Sequence, residues 1–139
     1  MKYGSLILEK KEYVYLKRIL NILEYAKDFE TQRSLQRLSE ELKIAQIVDE
    51  AEVPKDVIRF NSKIKIYSKN GWEKTIQLVT PPEKDAKQDK ISILTPMGAA
   101  LFGYSEGDII EWDFPSGKQE IKIVAVTQIA KQKKIEVPT

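Results

Sequence analysis

Cysteine and histidine are both absent from the 139 residues of this chain. Without cysteine there is no disulfide, no thiolate nucleophile and no cysteine-type zinc site. Without histidine the chain lacks the commonest general base and metal ligand, and no Ser-His or Cys-His catalytic arrangement can form. Few hydrolytic mechanisms survive both absences, so we expect neither a cofactor nor a metal centre. A site made of carboxylates alone stays open.

Long hydrophobic runs and an excess of one charge are also lacking. No stretch approaches the ~18 apolar residues that a membrane-spanning helix needs, and the start of the chain has too short an apolar run for a signal peptide. The net charge is only +2, which gives little electrostatic attraction to nucleic acid. We therefore expect a cytoplasmic protein, a monomer, with at most weak direct contact to nucleic acid.

The first 50 residues follow a helical period. Apolar residues at spacings of three and four recur through residues 9–26 and again from Leu35 to Ala45, with the polar stretch KDFETQ between them. Such spacings place the apolar side chains on one side of a helix. Thr31 or Ser34 is the predicted N-cap of the second helix. Residues 1–50 are thus predicted to form an antiparallel helical hairpin, a short coiled coil.

After residue 50 the period changes to two. The segments 62–68 and 73–79 alternate apolar and polar residues and are joined by Asn70-Gly71, a strong hairpin signal. Lys63 and Lys65 are expected on the solvent side of the first of these strands. Further strands are predicted at 91–94, 109–114 and 120–127, and 80–90 is predicted to be a loop. Residues 51–139 are therefore predicted to be an antiparallel sheet domain with one short helix, which makes the fold class α+β.

The short helix is predicted from the stretch TPMGAALFG, residues 95–103. Thr95 is a preferred N-cap, Pro96 suits the first helical position, and Gly103 stands where a left-handed residue ends a helix. Gly98 is unexplained by these rules, because glycine inside a helix costs up to about 1 kcal/mol relative to alanine. Either the helix approaches the sheet closely at Gly98, or a partner presses against it there.

The same stretch carries a family resemblance. Residues 91–126, with TPMGAALFG and the Gly107-Asp108 step, resemble the C-terminal domain of the bacterial Gre transcript-cleavage factors. The preceding segment EVPKDVIRFNSKIKI, read as VPxDVxxxNSxI, resembles the short-armed branch of that superfamily, the regulator of nucleoside diphosphate kinase. The resemblance covers residues 53–126 in sequence and the helical hairpin in architecture.

The resemblance implies an FKBP-like fold for residues 51–139 and an N-terminal coiled coil that points into a partner. Members of the family bind RNA polymerase near its secondary channel, where the C-terminal domain docks on the channel rim. At the matching positions Thr95, Pro96, Met97 and Gly98 are expected to form or border the docking surface. The implied function is regulation of transcription elongation.

The hairpin tip departs from the cleavage factors. Those proteins carry an acidic motif of the form D-L-x-E-N-x-E-Y, whose carboxylates help to hold a second Mg²⁺ in the polymerase active centre. Here the tip reads AKDFETQR, so that Asp28, Phe29 and Glu30 occupy it and the Asn-Glu element is missing. We therefore expect a non-enzymatic regulator. Stimulation of transcript cleavage by Asp28 and Glu30 is the alternative.

A third hypothesis comes from the implied fold, because FKBP-like domains include prolyl isomerases. Such enzymes need a hydrophobic pocket ringed by aromatic side chains, and the chain has four Phe, six Tyr and two Trp. No isomerase-specific motif is visible, and a fold by itself does not fix a function. This hypothesis ranks below the other two.

Overall fold

The computed structural model describes residues 2–22, 29–114 and 117–129, and for residues 22, 29–31 and 112–114 the backbone alone. The elements in chain order are β1 (Ile7–Glu9), α1 (Lys10–Ile22), α2 (Phe29–Leu42), β2 (Gln46–Val48), β3 (Lys63–Ser68), β4 (Glu73–Val79), β5 (Lys90–Ser92), α3 (Pro96–Leu101), β6 (Ile109–Phe114) and β7 (Gly117–Thr127). Helices and strands are thus both present, which confirms the mixed α+β class.

The main sheet has five strands in the order β5-β4-β3-β7-β6. β3 pairs antiparallel with β4 and β7, and β6 pairs antiparallel with β7, as the alternating patterns and turns predict. The prediction of a purely antiparallel sheet is wrong at one edge, because β5 runs parallel to β4. The intervening residues 80–89 form two short 3-10 turns. They return the chain to a point beside Gln77, before the end of β4, and β5 therefore runs in the same direction as β4.

A second, two-stranded sheet lies within residues that we predicted to be helical. β1 and β2 pair in parallel, with Ile7 beside Gln46 and Glu9 beside Val48. Each strand has only three residues. Three residues are too few for a period to be read, so their strand structure depends on pairing between parts of the chain far apart in sequence.

The two N-terminal helices occur where the apolar repeats lie, but α2 begins earlier than predicted. It starts at Phe29 and includes Thr31 and Ser34, so neither residue is its N-cap. The polar run before Leu35 reads as a link, yet glutamate, glutamine and arginine are good helix formers and continue the helix on its solvent side. Ser34 is a buried position within the second turn of this helix.

One hydrophobic core connects the helices with the main sheet. Leu16 of α1 and Leu38 of α2 belong to the same buried cluster as Ile64 and Ile66 of β3. The Tyr15 ring lies edge-on to Phe60, with 5.6 Å between the ring centroids, and Phe60 packs on Phe102 at 4.7 Å. The division of the chain at residue 50 stays a prediction. The core itself draws side chains from both sides of that position.

Candidate functional site

The start of α3 is built by the capping interactions that its sequence predicts. The Thr95 hydroxyl accepts a hydrogen bond from the Gly98 amide at 3.0 Å and donates one to the Ser92 carbonyl at 2.7 Å. Pro96 is the first helical residue, where its missing N–H costs nothing. After Phe102, Gly103 has a φ of +82° and lets the chain turn away from the helix.

Gly98 lies where the helix touches the strand end beneath it. A Cβ atom at Gly98 would come 2.3 Å from the Ser92 carbonyl oxygen and 3.0 Å from the Leu78 Cδ1 atom. A separation of 2.3 Å is far shorter than any normal carbon–oxygen contact. Close packing inside the protein therefore explains this glycine, and no partner is needed for it.

The four residues of the expected docking surface differ in accessibility. Thr95, Pro96 and Met97 are partly exposed, whereas Gly98 is buried. Met97 also packs against the core cluster. The structure therefore places three of the four predicted residues on one accessible corner at the start of α3 and the fourth beneath it.

The Gly107-Asp108 step ties the start of the chain to the sheet domain. The Asp108 carboxylate accepts the Ser105 amide at 2.9 Å, closing the turn, and accepts the Lys2 amide at 2.7 Å. Gly107 has a φ of +92°, a conformation that favours glycine. Both residues of this motif therefore have structural roles.

The VPxDVxxxNSxI segment also supports the fold. Asp56 accepts a hydrogen bond from the Tyr3 hydroxyl at 2.8 Å and pairs with the Lys2 ammonium group. Ser62 is fully buried; its hydroxyl accepts the Arg59 amide at 2.8 Å and donates to the Gln128 side chain at 2.7 Å. These contacts hold the N-terminal segment and the end of β7 on the segment before β3.

A buried ion cluster that we did not predict joins α1 to the sheet domain. The Arg59 Nε atom donates to Glu12 at 2.8 Å, and its terminal nitrogen lies 2.5 Å from a carboxylate oxygen of Glu50. The Glu9 carboxylate accepts the amides of Lys11 and Glu12 at the start of the helix. Glu12 has only 3% of its surface exposed. The Arg59–Glu12 pair thus connects the first turn of α1 to the segment before β3.

Burial raises the pKa of Glu12 to about 7, while the neighbouring Arg59 charge and its hydrogen bond act in the opposite direction. In the unfolded chain the pKa of a glutamate carboxyl group is about 4.5. The ionised form is therefore less favourable in the folded protein than in the unfolded chain. Stability gained from the neutral group is fully present below pH ~4.5 and is lost as the pH rises to about 7.

We expect Glu12→Gln to remove this part of the pH dependence. Between about pH 5 and pH 8 the free energy of unfolding of the wild type should fall relative to that of the variant, by an amount on the order of 1–3 kcal/mol. Urea unfolding of both proteins at the two pH values measures the difference. A difference that does not change with pH would show that Glu12 titrates normally in the folded state.

The sequence contained a signal for this cluster that we did not use. Glu12 lies four residues before Leu16 and seven before Ile19, on the apolar side of the helix. An acidic residue at such a position needs a cationic partner, because an unpaired buried charge is very unfavourable. Nothing in the sequence identified Arg59 as that partner, since 47 positions separate the two residues.

The predicted tip of the helical hairpin falls at the limit of the described residues. Asp28 lies outside them, and Phe29 and Glu30 form the first turn of α2, described as backbone only. Among residues 2–22, 29–114 and 117–129, no group of three or more acidic side chains is placed to hold a metal ion. Within the same ranges, no helix is both long and apolar enough to cross a membrane.

Comparison with known proteins defines the class. The family model described as "Transcription elongation factor, GreA/GreB, C-term" matches residues 53–128. This range contains α3, the Gly107-Asp108 turn and all five strands of the main sheet. The protein therefore belongs to the family of Gre-type transcription elongation factors, as the sequence resemblance indicated.

Individual relatives support both branches of the resemblance. The chain is 37% identical over 86 residues to transcription elongation factor GreA of Bartonella tribocorum, a match that covers 61% of this chain and 55% of the relative. It is 36% identical over 81 residues to the regulator of nucleoside diphosphate kinase of Escherichia coli, covering 58% of this chain and 60% of that protein. The match thus spans only about half the length of these curated relatives.

A solved structure matches nearly the whole chain. The prokaryotic transcription elongation factor GreA/GreB from Nitrosomonas europaea superposes with a TM-score of 0.72 at 32% sequence identity. The superposition covers 89% of this chain and 98% of the other. The likeness therefore extends over the N-terminal helices as well as the sheet domain.

Proposed function

We propose that this protein binds RNA polymerase near its secondary channel and regulates transcription elongation in the cytoplasm without stimulating transcript cleavage. The observation that carries the proposal is the superposition of 89% of the chain on a transcription elongation factor. Because helices and sheet domain both superpose, the proposal assigns the protein a docking domain together with an arm. The absence of cysteine and histidine fits a regulator that acts by binding.

In this proposal residues 51–139 form an FKBP-like docking domain, and residues 1–50 form a hairpin of two helices that acts as a short arm. The helix α1 has 13 residues and α2 has 14. At ~1.5 Å per residue each described helix is about 20 Å long, which is the length of arm that the described residues support. The buried Arg59–Glu12 pair supports a fixed arm direction, because it joins the base of α1 to the sheet domain.

The proposal places polymerase contact at the corner formed by Thr95, Pro96 and Met97. Gly98 supports this corner from below and does not itself touch the partner. We expect Met97→Glu to weaken binding to purified core RNA polymerase by about tenfold or more, because a buried apolar interface contact contributes over ~1 kcal/mol. Fluorescence anisotropy with the labelled protein measures the dissociation constant.

The control for this variant is Met97→Leu, which keeps an apolar side chain of similar volume and should bind as the wild type does. Thermal unfolding of both variants shows whether the charge has damaged the fold, since Met97 also touches the core. No binding of the wild type at micromolar concentration would refute the proposed function. Equal binding by the Met97→Glu variant would refute the assigned corner.

The absence of cleavage activity follows in this proposal from the tip sequence. Asp28 and Glu30 are two positions apart, and the acidic motif of the cleavage factors is not present. Stalled elongation complexes incubated with the protein should therefore release no short RNA fragments. Release that is abolished by Asp28→Ala with Glu30→Ala would establish the cleavage alternative instead.

Prolyl isomerase activity is not favoured by the packing of the aromatic residues. Phe60 and Phe102 contact each other at the centre of the core, and both are almost completely buried. An isomerase needs such rings around an open pocket that admits a peptide. Rings that pack against each other support a structural role for them.

A further inference from the structure

The main sheet has one side that the helices do not cover. Ile64, Ile66, Ile121 and Ile123 point into the core, and the residues that alternate with them point to solvent. We call this solvent side the outer face. Its members with described side chains, by strand register, are Lys63, Lys65, Tyr67, Glu73, Thr75, Gln77, Lys90, Ile109, Glu111, Lys118, Glu120, Lys122, Val124, Ala125 and Thr127. The helix α3 packs on the opposite side, against Leu78 and Ile93.

Three apolar side chains are exposed together on the outer face. Ile109 is 58% exposed, Tyr67 42% and Val124 40%. Lys122 of β7 lies between Ile109 of β6 and Tyr67 of β3 and is paired with both. Ile109 and Tyr67 are therefore about 10 Å apart, two strand spacings. Val124 follows Lys122 by two positions, at the β-bulge where the β3–β7 register shifts. We call these three residues, which surround Lys122 on the same face, the apolar strip.

The acidic residues of the outer face are each matched by a lysine. Glu73 pairs with Lys65 at 2.9 Å, Glu111 pairs with Lys118 at 3.1 Å, and Glu120 pairs with Lys69 at 3.0 Å. Lys63, Lys90 and Lys122, by contrast, form no ion pair with any residue in the described part of the chain. The face therefore presents an apolar strip together with positive charge that no described side chain of the face neutralises by an ion pair.

We propose that the outer face is a second polymerase-binding surface, which receives an acidic segment of the polymerase that also carries apolar side chains. This inference rests on the proposed function, namely that the protein binds RNA polymerase. Carboxylates of the partner complement the three unpaired lysines, and its apolar side chains cover the strip. Because α3 lies on the other side of the sheet, this surface is separate from the Met97 corner.

Two other occupants fit the face less well. In a symmetric dimer the same patch would meet itself, which would place two Lys122 side chains in the centre of one interface. Single-stranded RNA binds by stacking its bases on aromatic rings, but Ile109 and Val124 are aliphatic. An acidic protein segment satisfies both the charge and the apolar strip.

The test compares three variants in binding to purified core RNA polymerase. We expect Ile109→Glu to weaken binding about tenfold or more, and Lys122→Glu to weaken it several-fold with a reduced dependence on salt. The control is Ala86→Glu, which adds the same charge at an exposed residue of the turn before β5, a residue that belongs neither to the outer face nor to the Met97 corner nor to the arm. It should bind within about twofold of the wild type, since an exposed site outside an interface contributes little.

Each of the other possible results rules out either the proposed function, the second surface or its proposed occupant. If the wild type does not bind polymerase, the proposed function fails. If the wild type binds, and the Ile109 and Lys122 variants bind as the Ala86 control does, the function stands and the inference is wrong. A wild-type dimer in sedimentation that Ile109→Glu dissociates would show that a second copy covers the face. Binding of a single-stranded RNA oligonucleotide that Lys122→Glu alone removes, with polymerase binding intact, would make it a nucleic-acid surface.

Discussion

Gly98→Ala is expected to lower the free energy of unfolding by roughly 2–4 kcal/mol, although alanine is the better helix former. The new Cβ would come 2.3 Å from the Ser92 carbonyl oxygen, so either α3 or the end of β5 must shift. Backbone on one side and the Leu78 side chain on the other leave little room for that shift. Urea unfolding followed by tryptophan fluorescence measures the loss.

Gly71→Ala is the control for this variant. Gly71 has a φ of +96°, and no atom lies within 4 Å of a Cβ placed there. The Gly71→Ala substitution should lower the free energy of unfolding by only about 1 kcal/mol, because alanine is strained in the left-handed conformation. If the Gly98→Ala variant is as stable as the wild type, the packing around Gly98 is loose. Contact with a partner would then be the better explanation for this glycine.

Arg59→Met is expected to cost roughly 3–5 kcal/mol at about pH 8, because it leaves the Glu12 charge buried without its partner. Methionine fills much of the arginine volume, so the loss reports the charge rather than a cavity. At about pH 5 the loss should be smaller, since burial raises the pKa of Glu12 to about 7 and the carboxyl group is then neutral in the folded protein.

Two further variants isolate the buried pair. Arg59→Met combined with Glu12→Gln should recover much of the stability lost at about pH 8, because the double variant no longer holds a Glu12 charge without its Arg59 partner. Lys65→Met breaks the exposed Lys65–Glu73 pair, in which both side chains are about half exposed, and should cost under about 1 kcal/mol. An Arg59 variant that is no less stable than the Lys65 variant would show that the pair does not hold α1.

The sequence predicted best those features that are encoded by neighbouring residues. Thr95, Pro96 and Gly103 specify the start and end of α3 through their own hydroxyl, ring and φ preference. The alternation through β3 and β4 placed Lys63 and Lys65 on the solvent side correctly. The family resemblance, which depends on several motifs at fixed intervals, is confirmed by the match to residues 53–128.

The features that the sequence did not predict depend on residues far apart in the chain. β1 and β2 are strands only because they pair with each other. The direction of β5 follows from the path of the preceding loop, which a period of two does not encode. The Arg59–Glu12 pair likewise appears only when α1 is folded onto the segment before β3. The apolar strip could be predicted from the sequence in part, because Tyr67 and Ile109 occupy solvent-side positions of their strands.

The parallel pairing of β1 with β2 has a consequence for the segment between them, which contains α1 and α2. The chain leaves the domain at Glu9 and returns at Gln46, which lie in neighbouring strands. Residues can therefore be added or removed in the part of this segment that lies beyond the side chains packed in the core, without moving either strand. Doubling the length of a flexible connection costs only about 0.6 kcal/mol of closure entropy, so the length of this segment can change while the five-stranded sheet stays as it is.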